Sequence, residues 1–359
     1  MAAEFHPLIV SDVRRETAEA VSIAFAVPQA LASAYEFQPG QHLTLRTRFR
    51  GEECRRSYSI CSGLDDGELR VAIKRTEGGL FSCYANEGIK AGDVIEVMTP
   101  QGRFGIAPDP EAKRIHLAIA AGSGITPVMS ILRSMLTREK GSRLVLLYGN
   151  RTAQSIIFKE SLDDLKDRFL DRLVVHHVLS REHQDVPLLN GRIDAKKIGA
   201  VLSTIGSANS IDHAFLCGPF GLIEDSRAVL LRLGAVAERI HVEYFTADGS
   251  PVPQSRKGAQ SSPTQQSVAT AHIRLYGSAY DVPVLEHETI VDAGLRLGLE
   301  MPYSCRGGMC CTCRAKLLSG EVKMDRNYSL EAWEMAAGYV LTCQAHPITP
   351  EIALDYDQV

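Results

Sequence analysis

Four cysteines carry the most specific chemistry in this sequence. Cys305, Cys310 and Cys313 lie in the run Cys-Arg-Gly-Gly-Met-Cys-Cys-Thr-Cys, and Cys343 follows thirty positions after the last of them. The spacing C-x4-C-x2-C…C is that of a plant-type [2Fe–2S] cluster, whose two irons need four thiolates converging from one loop and one distant point. Such a cluster carries single electrons, so the rest of the chain should supply them or take them away. Structural zinc sites instead draw C-x2-C pairs from two halves, and the first gap here is four residues long. Gly307 and Gly308 suit a loop that must turn backbone N–H groups toward sulfur, and Arg306 adds local charge. Cys311 lies between two ligand positions and is expected to be a small buried neighbour.

Other runs could hold phosphates. In Arg55-Arg56-Ser57-Tyr58-Ser59-Ile60, strand alternation puts Arg56 and Tyr58 on one face and Ser57 and Ser59 on the other. A guanidinium can bind a pyrophosphate bidentately, and a phenol ring beside it can stack on a flat heterocycle. Alone, the run would describe a half-buried strand equally well. Gly78-Gly79-Leu80-Phe81-Ser82 adds glycines that let N–H groups approach a second phosphate, and together the two runs suggest a flavin dinucleotide. Ala120-Ala121-Gly122-Ser123-Gly124-Ile125-Thr126-Pro127 follows an apolar strand and opens a helix, where a pyrophosphate is favoured. Its pattern is G-x-G-x-x-P, which departs from the dinucleotide fingerprint at the last position. Cys217-Gly218-Pro219 closes a later apolar run, and a lone cysteine there reads first as a small core residue. His6, His42, His116, His176, His177 and His346 show no partner in sequence and are expected to be structural or exposed.

At 359 residues the chain has room for two or three domains. Hydrophobic content of 45% and charged content of 23% are those of an ordinary globular protein. A net charge of −4 leaves no basic stripe, which argues against nucleic acid as a partner. No apolar run approaches a membrane span, and the opening Met1-Ala-Ala-Glu-Phe-His-Pro lacks the regions of an export signal. Nine cysteines in that setting point to a reducing, cytoplasmic compartment, where thiols serve metals or chemistry.

Three textures position these residues. Segments Gln41 to Thr47, Leu69 to Arg75 and Val94 to Thr99, broken by turn residues, suit an antiparallel β-barrel. From Arg114 onward strands alternate with helices: Arg114–Ala121, a helix from about Pro127 to Thr137, Arg143–Tyr148, a helix near Gln154–Lys166, then Leu173–Leu179. That alternation indicates parallel βαβ units and an α/β domain. Residues 247–270 are poor in apolar anchors and read as a flexible linker. After them, strands at His272–Gly277 and Tyr280–Leu285 precede a helix capped by Thr289-Ile-Val-Asp292, with Ile290, Ala293 and Leu297 on one face. The expected organisation is a FAD-binding β-barrel over 1–108, an NAD(P)-binding α/β domain over 109–246, the linker over 247–270, and a β-grasp [2Fe–2S] ferredoxin-type domain over 271–359.

Taken in this order, the motifs resemble the ferredoxin–NADP⁺ reductase superfamily, and within it the reductases that carry a plant-type ferredoxin module C-terminally. The resemblance implies Arg56 on the FAD pyrophosphate, Tyr58 against the isoalloxazine and Ser59 near the flavin N5. It adds Ile73, Lys74, Gly78, Gly79, Ser82 and Phe245 to the flavin site. It also implies Gly122, Gly124, Thr126 and Pro127 at the nicotinamide dinucleotide, with Cys217, Gly218 and Pro219 near the reactive carbon. Ser59, Cys217 and Glu243 are then the expected catalytic residues. Ser180 and Arg181, after the third parallel strand, are implied on a 2′-phosphate, hence NADPH rather than NADH. The alternative reading of Arg181 is a solvated loop charge, since phosphate recognition favours arginine but does not require it. Pro39-Gly-Gln-His-Leu-Thr44, Tyr148-Gly-Asn-Arg-Thr152, Asn327-Tyr-Ser-Leu-Glu331 and Gly338-Tyr-Val-Leu-Thr-Cys343-Gln-Ala are similar to the reductase subunits of phenylacetyl-CoA epoxidase complexes.

The expected route runs from NADPH to FAD, from FAD to the cluster, and on to the diiron oxygenase subunits of a multicomponent monooxygenase. A flavin is needed because a hydride carries two electrons and the cluster accepts one. Two other readings stand beside it, the first differing only in the protein it feeds and the second in kind. One is the reductase of another aromatic-ring or steroid hydroxylase. The other is a non-catalytic nucleotide-binding protein with a zinc-stapled tail, which would be colourless.

Overall fold

A computed structural model of the chain describes residues 4–245 and 267–358. The expected linker, 247–270, falls outside them except for its last four residues, which are already strand. Two compact units make up the chain, the larger holding a barrel and a parallel sheet, the smaller a C-terminal module.

In the barrel, β1 (Phe5–Thr17), β2 (Ala20–Ala26), β3 (His42–Phe49), β4 (Glu52–Ser59), β5 (Leu69–Lys74) and β6 (Val94–Met98) form one sheet in the order β4-β3-β6-β1-β2-β5. Alternating apolar residues such as Leu8, Val10, Ile23, Leu43, Leu45, Val71, Ile73 and Val97 fill its interior. The two outer members of that order meet just past β4: Ile60 bridges Val71 in antiparallel fashion, and Cys61 N–H donates to the Arg70 carbonyl at 2.8 Å. This contact curls the sheet closed, as the sequence texture suggested. One short helix, α1 (Leu80–Glu87), follows β5.

The parallel sheet runs β11-β10-β7-β8-β9, from β7 (Ile115–Ala121), β8 (Arg143–Asn150), β9 (Leu173–Leu179), β10 (His213–Gly218) and β11 (Ile240–Tyr244). Its central strands are nearly continuous apolar runs because both faces are covered. The covering helices are α2 (Ile125–Arg138), α3 (Lys159–Arg168), α4 (Ala195–Ile205) and α5 (Phe220–Arg232). The helix expected over 154–166 is divided into a 3₁₀ turn, Ala153–Ser155, and α3. Between them Ile156, Ile157 and Phe158 are buried against the sheet, with Phe158 at φ 62°, so tertiary packing overrides helix continuation.

Helix α2 fastens this sheet to the barrel. Ser130 Oγ donates to the Ser62 carbonyl at 2.7 Å, and Ser134 Oγ accepts from Leu64 N–H at 3.1 Å. Arg133 and Arg138 pair with Asp66 and Asp65 at 2.7 and 2.9 Å. Underneath, Cys61, Ala72 and Phe104 of the barrel share a core with Ile125, Met129 and Phe215.

The C-terminal module contains β12 (Ser267–Leu275), β13 (Ser278–Leu285), α6 (Ile290–Arg296), β14 (Arg314–Ser319), β15 (Val322–Met324), α7 (Ala332–Ala336), β16 (Tyr339–Leu341), β17 (Ala345–Pro347) and β18 (Glu351–Asp355). The main sheet has the order β13-β12-β18-β14-β16, with β12 and β18 parallel and the other pairs antiparallel. Tyr276 and Gly277, at φ 52° and 75°, make the two-residue turn of the first hairpin. Thr289 caps α6 by accepting from Asp292 N–H at 3.2 Å, as its sequence predicts. Ile290 and Ala293 are fully buried, whereas Leu297 lies past the helix end and is 46% exposed, so it leaves the expected face. Among the described residues, no helix is long and apolar enough to cross a membrane.

The opposite, N-terminal edge of the parallel sheet holds a histidine ladder that sequence position did not reveal. His116, His213 and His241, from β7, β10 and β11, lie in succession, with ring centroids 5.8 Å and 5.3 Å apart and His213 Nδ1 3.0 Å from His241 Nε2. Burial, then the neighbouring rings, lowers His213 and His241 to about 4. At the ladder's end Glu139 is fully buried, but bonds from His116, Ser142 and Asp109 N–H outweigh that burial and hold its carboxyl at about 2. Unfolded histidine takes up its proton near 6.5, so the stability carried by the neutral pair is present above 6.5 and lost as pH falls to about 4. The Glu139 contribution persists above its unfolded value of 4.5 and is lost toward 2. Thermal melts should therefore show Tm falling from pH 6.5 downward, and a His213→Asn/His241→Asn double variant should flatten the part above pH 4.5. A Tm constant from pH 7 to 4.5 in the unaltered chain would show that the ladder does not couple to folding.

Candidate functional site

The C-terminal edge of the parallel sheet gathers the dinucleotide motif. After β7 the chain turns through Gly122, at φ 55°, into the 3₁₀ turn Gly122–Gly124 and then α2. A Cβ at Gly122 would meet open space. At Gly124 it would sit 2.2 Å from the Cys217 carbonyl oxygen and 2.9 Å from Gly218 N, so only glycine fits where this turn meets the end of β10. Tyr148 donates to the Gly122 carbonyl at 2.9 Å and steadies the turn. No side chain caps α2, and its first N–H, that of Ile125, donates back to the Gly122 and Ser123 carbonyls. Thr126 and Pro127, expected at the ligand, are buried instead, and Thr126 Oγ1 donates to the Ser123 carbonyl at 3.1 Å. The Thr126 hydroxyl thereby closes the turn.

Ser180 and Arg181 leave β9 at the same edge. Ser180 N–H donates to the Asn150 carbonyl at 3.0 Å, and Arg181 N–H to that of Arg151 at 2.8 Å. The pairing carries two exposed arginines, Arg151 and Arg181, onto adjacent strand ends. Sequence reasoning singled out only the second.

Beside this edge the barrel contributes Ser59. Its hydroxyl is 3% exposed and donates to Glu243 Oε2 at 3.2 Å, joining barrel and sheet at one point. Glu243 lies directly across the parallel ladder from Cys217. The Cys217 thiol is fully buried, and burial, then the Glu243 charge, pushes its pKa well up. It is therefore a neutral, space-filling group rather than a nucleophile. Gly218 and Pro219 follow as the lead into α5, and Phe245 packs on the shared core. The three expected catalytic residues are thus brought together.

The expected flavin residues separate by burial. Arg56 is exposed and Tyr58 half-buried, its ring 5.5 Å from that of Phe81. Gly78, at φ 71°, has open space around it, and Gly79 leads into α1, whose N-terminus also lacks a side-chain cap. Ser82 Oγ accepts from Thr76 N–H at 3.1 Å and holds that glycine turn. Lys74 is half-buried, 3.9 Å from Glu19. The Ile73 side chain is sealed in the barrel and its carbonyl accepts from Asn86 Nδ2 at 3.1 Å. An exposed guanidinium, a half-open ring and an uncapped glycine turn fit a flavin dinucleotide.

In the C-terminal module the four expected thiols converge. A hydrogen bond with Cys310, then burial, raises the Cys305 pKa well up, and Cys343 adds to it. A bond with Cys343, then burial, does the same to Cys313, reinforced by Cys310 and Cys305. Crowded this way, Cys305 and Cys313 stay neutral unless cations draw off their protons, the behaviour of a metal donor set. None of the nine cysteines is in a disulfide. Gly307 and Met309 N–H groups point to Cys305 Sγ at 3.3 and 3.4 Å, and Arg306 and Gly308, at φ 50° and 77°, make the turn that aims them. Nothing in the local sequence singles out Met309 for this role. Arg306 pairs with Asp292 at 2.8 Å, which ties the loop to the start of α6. Cys311 is half-buried rather than buried: it packs on the edge of the module's core, at φ 54°, with Sγ 3.0 Å from Ser329 Oγ.

Known proteins share this arrangement. Residues 7–106 match an oxidoreductase FAD-binding domain, 118–228 an oxidoreductase NAD-binding domain, and 273–347 a 2Fe-2S iron-sulfur cluster binding domain. The chain is 46% identical over 354 residues to a component of the 1,2-phenylacetyl-CoA epoxidase of Escherichia coli strain K12, covering 98% of each. It is 34% identical to the 3-ketosteroid-9-alpha-monooxygenase ferredoxin reductase component of Rhodococcus rhodochrous, covering 97% of this chain and 96% of that one. In structure it resembles phthalate dioxygenase reductase, with a TM-score of 0.60, 23% identity and 98% of both chains covered, a likeness of fold.

Gly124→Ala should cost about 2–4 kcal/mol, since backbone rather than a flexible side chain blocks the new Cβ. Gly122→Ala, strained only by its positive φ, should cost about 1 kcal/mol. Melting temperatures of the two variants check this, and equal losses would show that the Cys217 contact is not the constraint.

Proposed function

The chain belongs to the reductase components of multicomponent oxygenases, and we propose that it delivers electrons from NADPH to a diiron epoxidase acting on phenylacetyl-CoA. It is an oxidoreductase with flavin, pyridine nucleotide and [2Fe–2S] domains. The observation that carries the choice of oxygenase is 46% identity across 98% of both chains to the epoxidase component, against 34% for the steroid reductase. Nine free thiols and no disulfide support a cytoplasmic setting.

Bound FAD would supply the conversion between a two-electron hydride donor and a one-electron cluster. The residues that would hold it are Arg56 and the glycine turn at Gly78 and Gly79 for phosphate, with Tyr58 offering its ring face to the flavin. Gly122, Gly124 and the turn that leads into α2 would hold the nucleotide pyrophosphate. Gly218 and the buried Cys217 would line the nicotinamide side of the site, where a neutral thiol would exclude water without offering a competing charge. Ser59 donates to Glu243, so this pair can hold or pass a proton beside the flavin edge. Cys305, Cys310, Cys313 and Cys343 would ligate the two irons.

For NADPH, the support is the exposed Arg181 with Ser180 at the end of β9, beside Arg151. A charge-assisted contact to a phosphate contributes about 1.5–3 kcal/mol, so Arg181→Ala should raise the KM for NADPH on the order of 10- to 100-fold and leave NADH kinetics near their starting values. Steady-state reduction of an artificial acceptor reads this directly. An unaltered chain that prefers NADH would overturn the assignment. For the acceptor, the test is reconstitution with diiron epoxidase subunits. NADPH-dependent epoxidation of phenylacetyl-CoA supports the reading, whereas coupling to a steroid hydroxylase and none to the epoxidase would transfer the protein to that neighbouring group.

A further inference from the structure

Cys343, the ligand that comes from outside the loop, is braced on both sides. Before it, Thr342 Oγ1 donates to the Cys313 carbonyl at 2.7 Å, Thr342 N–H to the same oxygen at 3.1 Å, and Tyr356 donates to Thr342 Oγ1 at 2.8 Å. After it, Gln344 is 4% exposed and its side-chain amide nitrogen is engaged. Gln344 Nε2 donates to the Arg306 carbonyl at 2.9 Å and to the Cys343 carbonyl at 2.8 Å, with Cys343 Sγ at 3.8 Å. Its backbone is held as well, since its N–H donates to Leu341 and its carbonyl accepts from Asp325, both at 2.9 Å. The side chain therefore cannot swing away without leaving a buried amide unpaired.

Arg306 belongs to the loop that carries the other three thiols, so this one amide ties the distant ligand to that loop. Of its two hydrogens, one serves Arg306 and the other lies between the carbonyl and the sulfur of Cys343. A thiolate on iron is a stronger acceptor than a thiol, which draws the shared hydrogen toward sulfur. We propose that Gln344 is a positioning residue for the [2Fe–2S] cluster, which fixes Cys343 against the loop and donates the N–H···S hydrogen bond that raises the cluster's reduction potential. A hydrogen bond to sulfur favours the more negative, reduced form, and outer groups of this kind are among the main levers on such potentials. The inference rests on Cys305, Cys310, Cys313 and Cys343 being the ligands.

The test uses the full chain with flavin and cluster, comparing it with Gln344→Met, which keeps the volume and removes the donor. Redox titration followed by electron paramagnetic resonance should show the variant's midpoint shifted to more negative potential. Iron release to a chelator should be several-fold faster, while NADPH reduction of the flavin stays unchanged because Gln344 is not part of that machinery. An unshifted midpoint with unaltered iron release would overturn the proposal. If the variant assembles no cluster, electron–nuclear double resonance on reduced protein labelled with side-chain ¹⁵N-glutamine decides. A glutamine amide coupling supports the proposal, and its absence refutes it. Failure of the ligand reading looks different: the unaltered chain then shows no iron–sulfur spectrum at all.

Discussion

The Cys217 carbonyl occupies the space where any side chain at Gly124 would have to go. Most of the site in the larger unit follows from that contact. It sets the turn after β7 directly on the end of β10, so a dinucleotide turn and Cys217-Gly218-Pro219, more than ninety residues apart in sequence, become one surface. Parallel register then fixes the next neighbour, because Cys217 pairs across the ladder with Glu243. Helix α2 begins at this turn and is bolted to residues 62–66 of the barrel, which lie just past Ser59. The Ser59–Glu243 hydrogen bond is therefore a consequence of packing two domains on one helix. Neither residue's local sequence demands it.

Cysteine takes two opposite roles in this chain, and surroundings decide which. Cys217 stands alone in an apolar wall with a carboxylate across the ladder, so charge on its sulfur is penalised twice and it remains a neutral filler. Cys305 and Cys313 of the C-terminal module are also held neutral, but first by the neighbouring thiols. That mutual penalty vanishes when cations arrive, and backbone N–H groups from Gly307 and Met309 already point at Cys305 to receive the charge. Loop geometry rather than thiol chemistry separates Cys311 from its neighbours. Its left-handed backbone aims the sulfur at Ser329.

What the sequence made legible was information carried at fixed spacing. Thiol spacing, the glycine turns, the strand textures and the Thr289 cap each depend on residues a few positions apart, and the fold classes of all three modules could be read from them. What it hid depends on contacts between distant segments. Nothing local indicates that Thr126 and Pro127 turn inward, since that follows from the core α2 shares with the barrel. The break at Ile156 to Phe158 and the exposed Leu297 arise because burial, rather than helical period, chooses which apolar residues stay in register. His116, His213 and His241 come from three separate strands, and only the parallel register makes them a ladder. Gln344 was visible only as part of a family-like run. Its amide gains meaning once the Arg306 carbonyl is beside it.

Helix starts show how the chain divides its polar groups between stability and binding. Asp194 caps α4, Thr289 caps α6, and Glu331 with Glu334 closes a capping box on α7, so those ends are satisfied from within. Helices α1, α2 and α5 have no such side chain, and each opens directly from a run that carries glycine: Gly78-Gly79, Gly122 to Gly124, and Gly218-Pro219. The fourth uncapped helix, α3, opens from the buried apolar run at Phe158 and has a different reason. An orphan N–H at a helix start costs little while water reaches it, and it becomes an asset once an anion replaces that water. Leaving three starts unfilled sacrifices roughly 1 kcal/mol of capping at each. That loss is tolerable where barrel and parallel sheet are already joined by a common core.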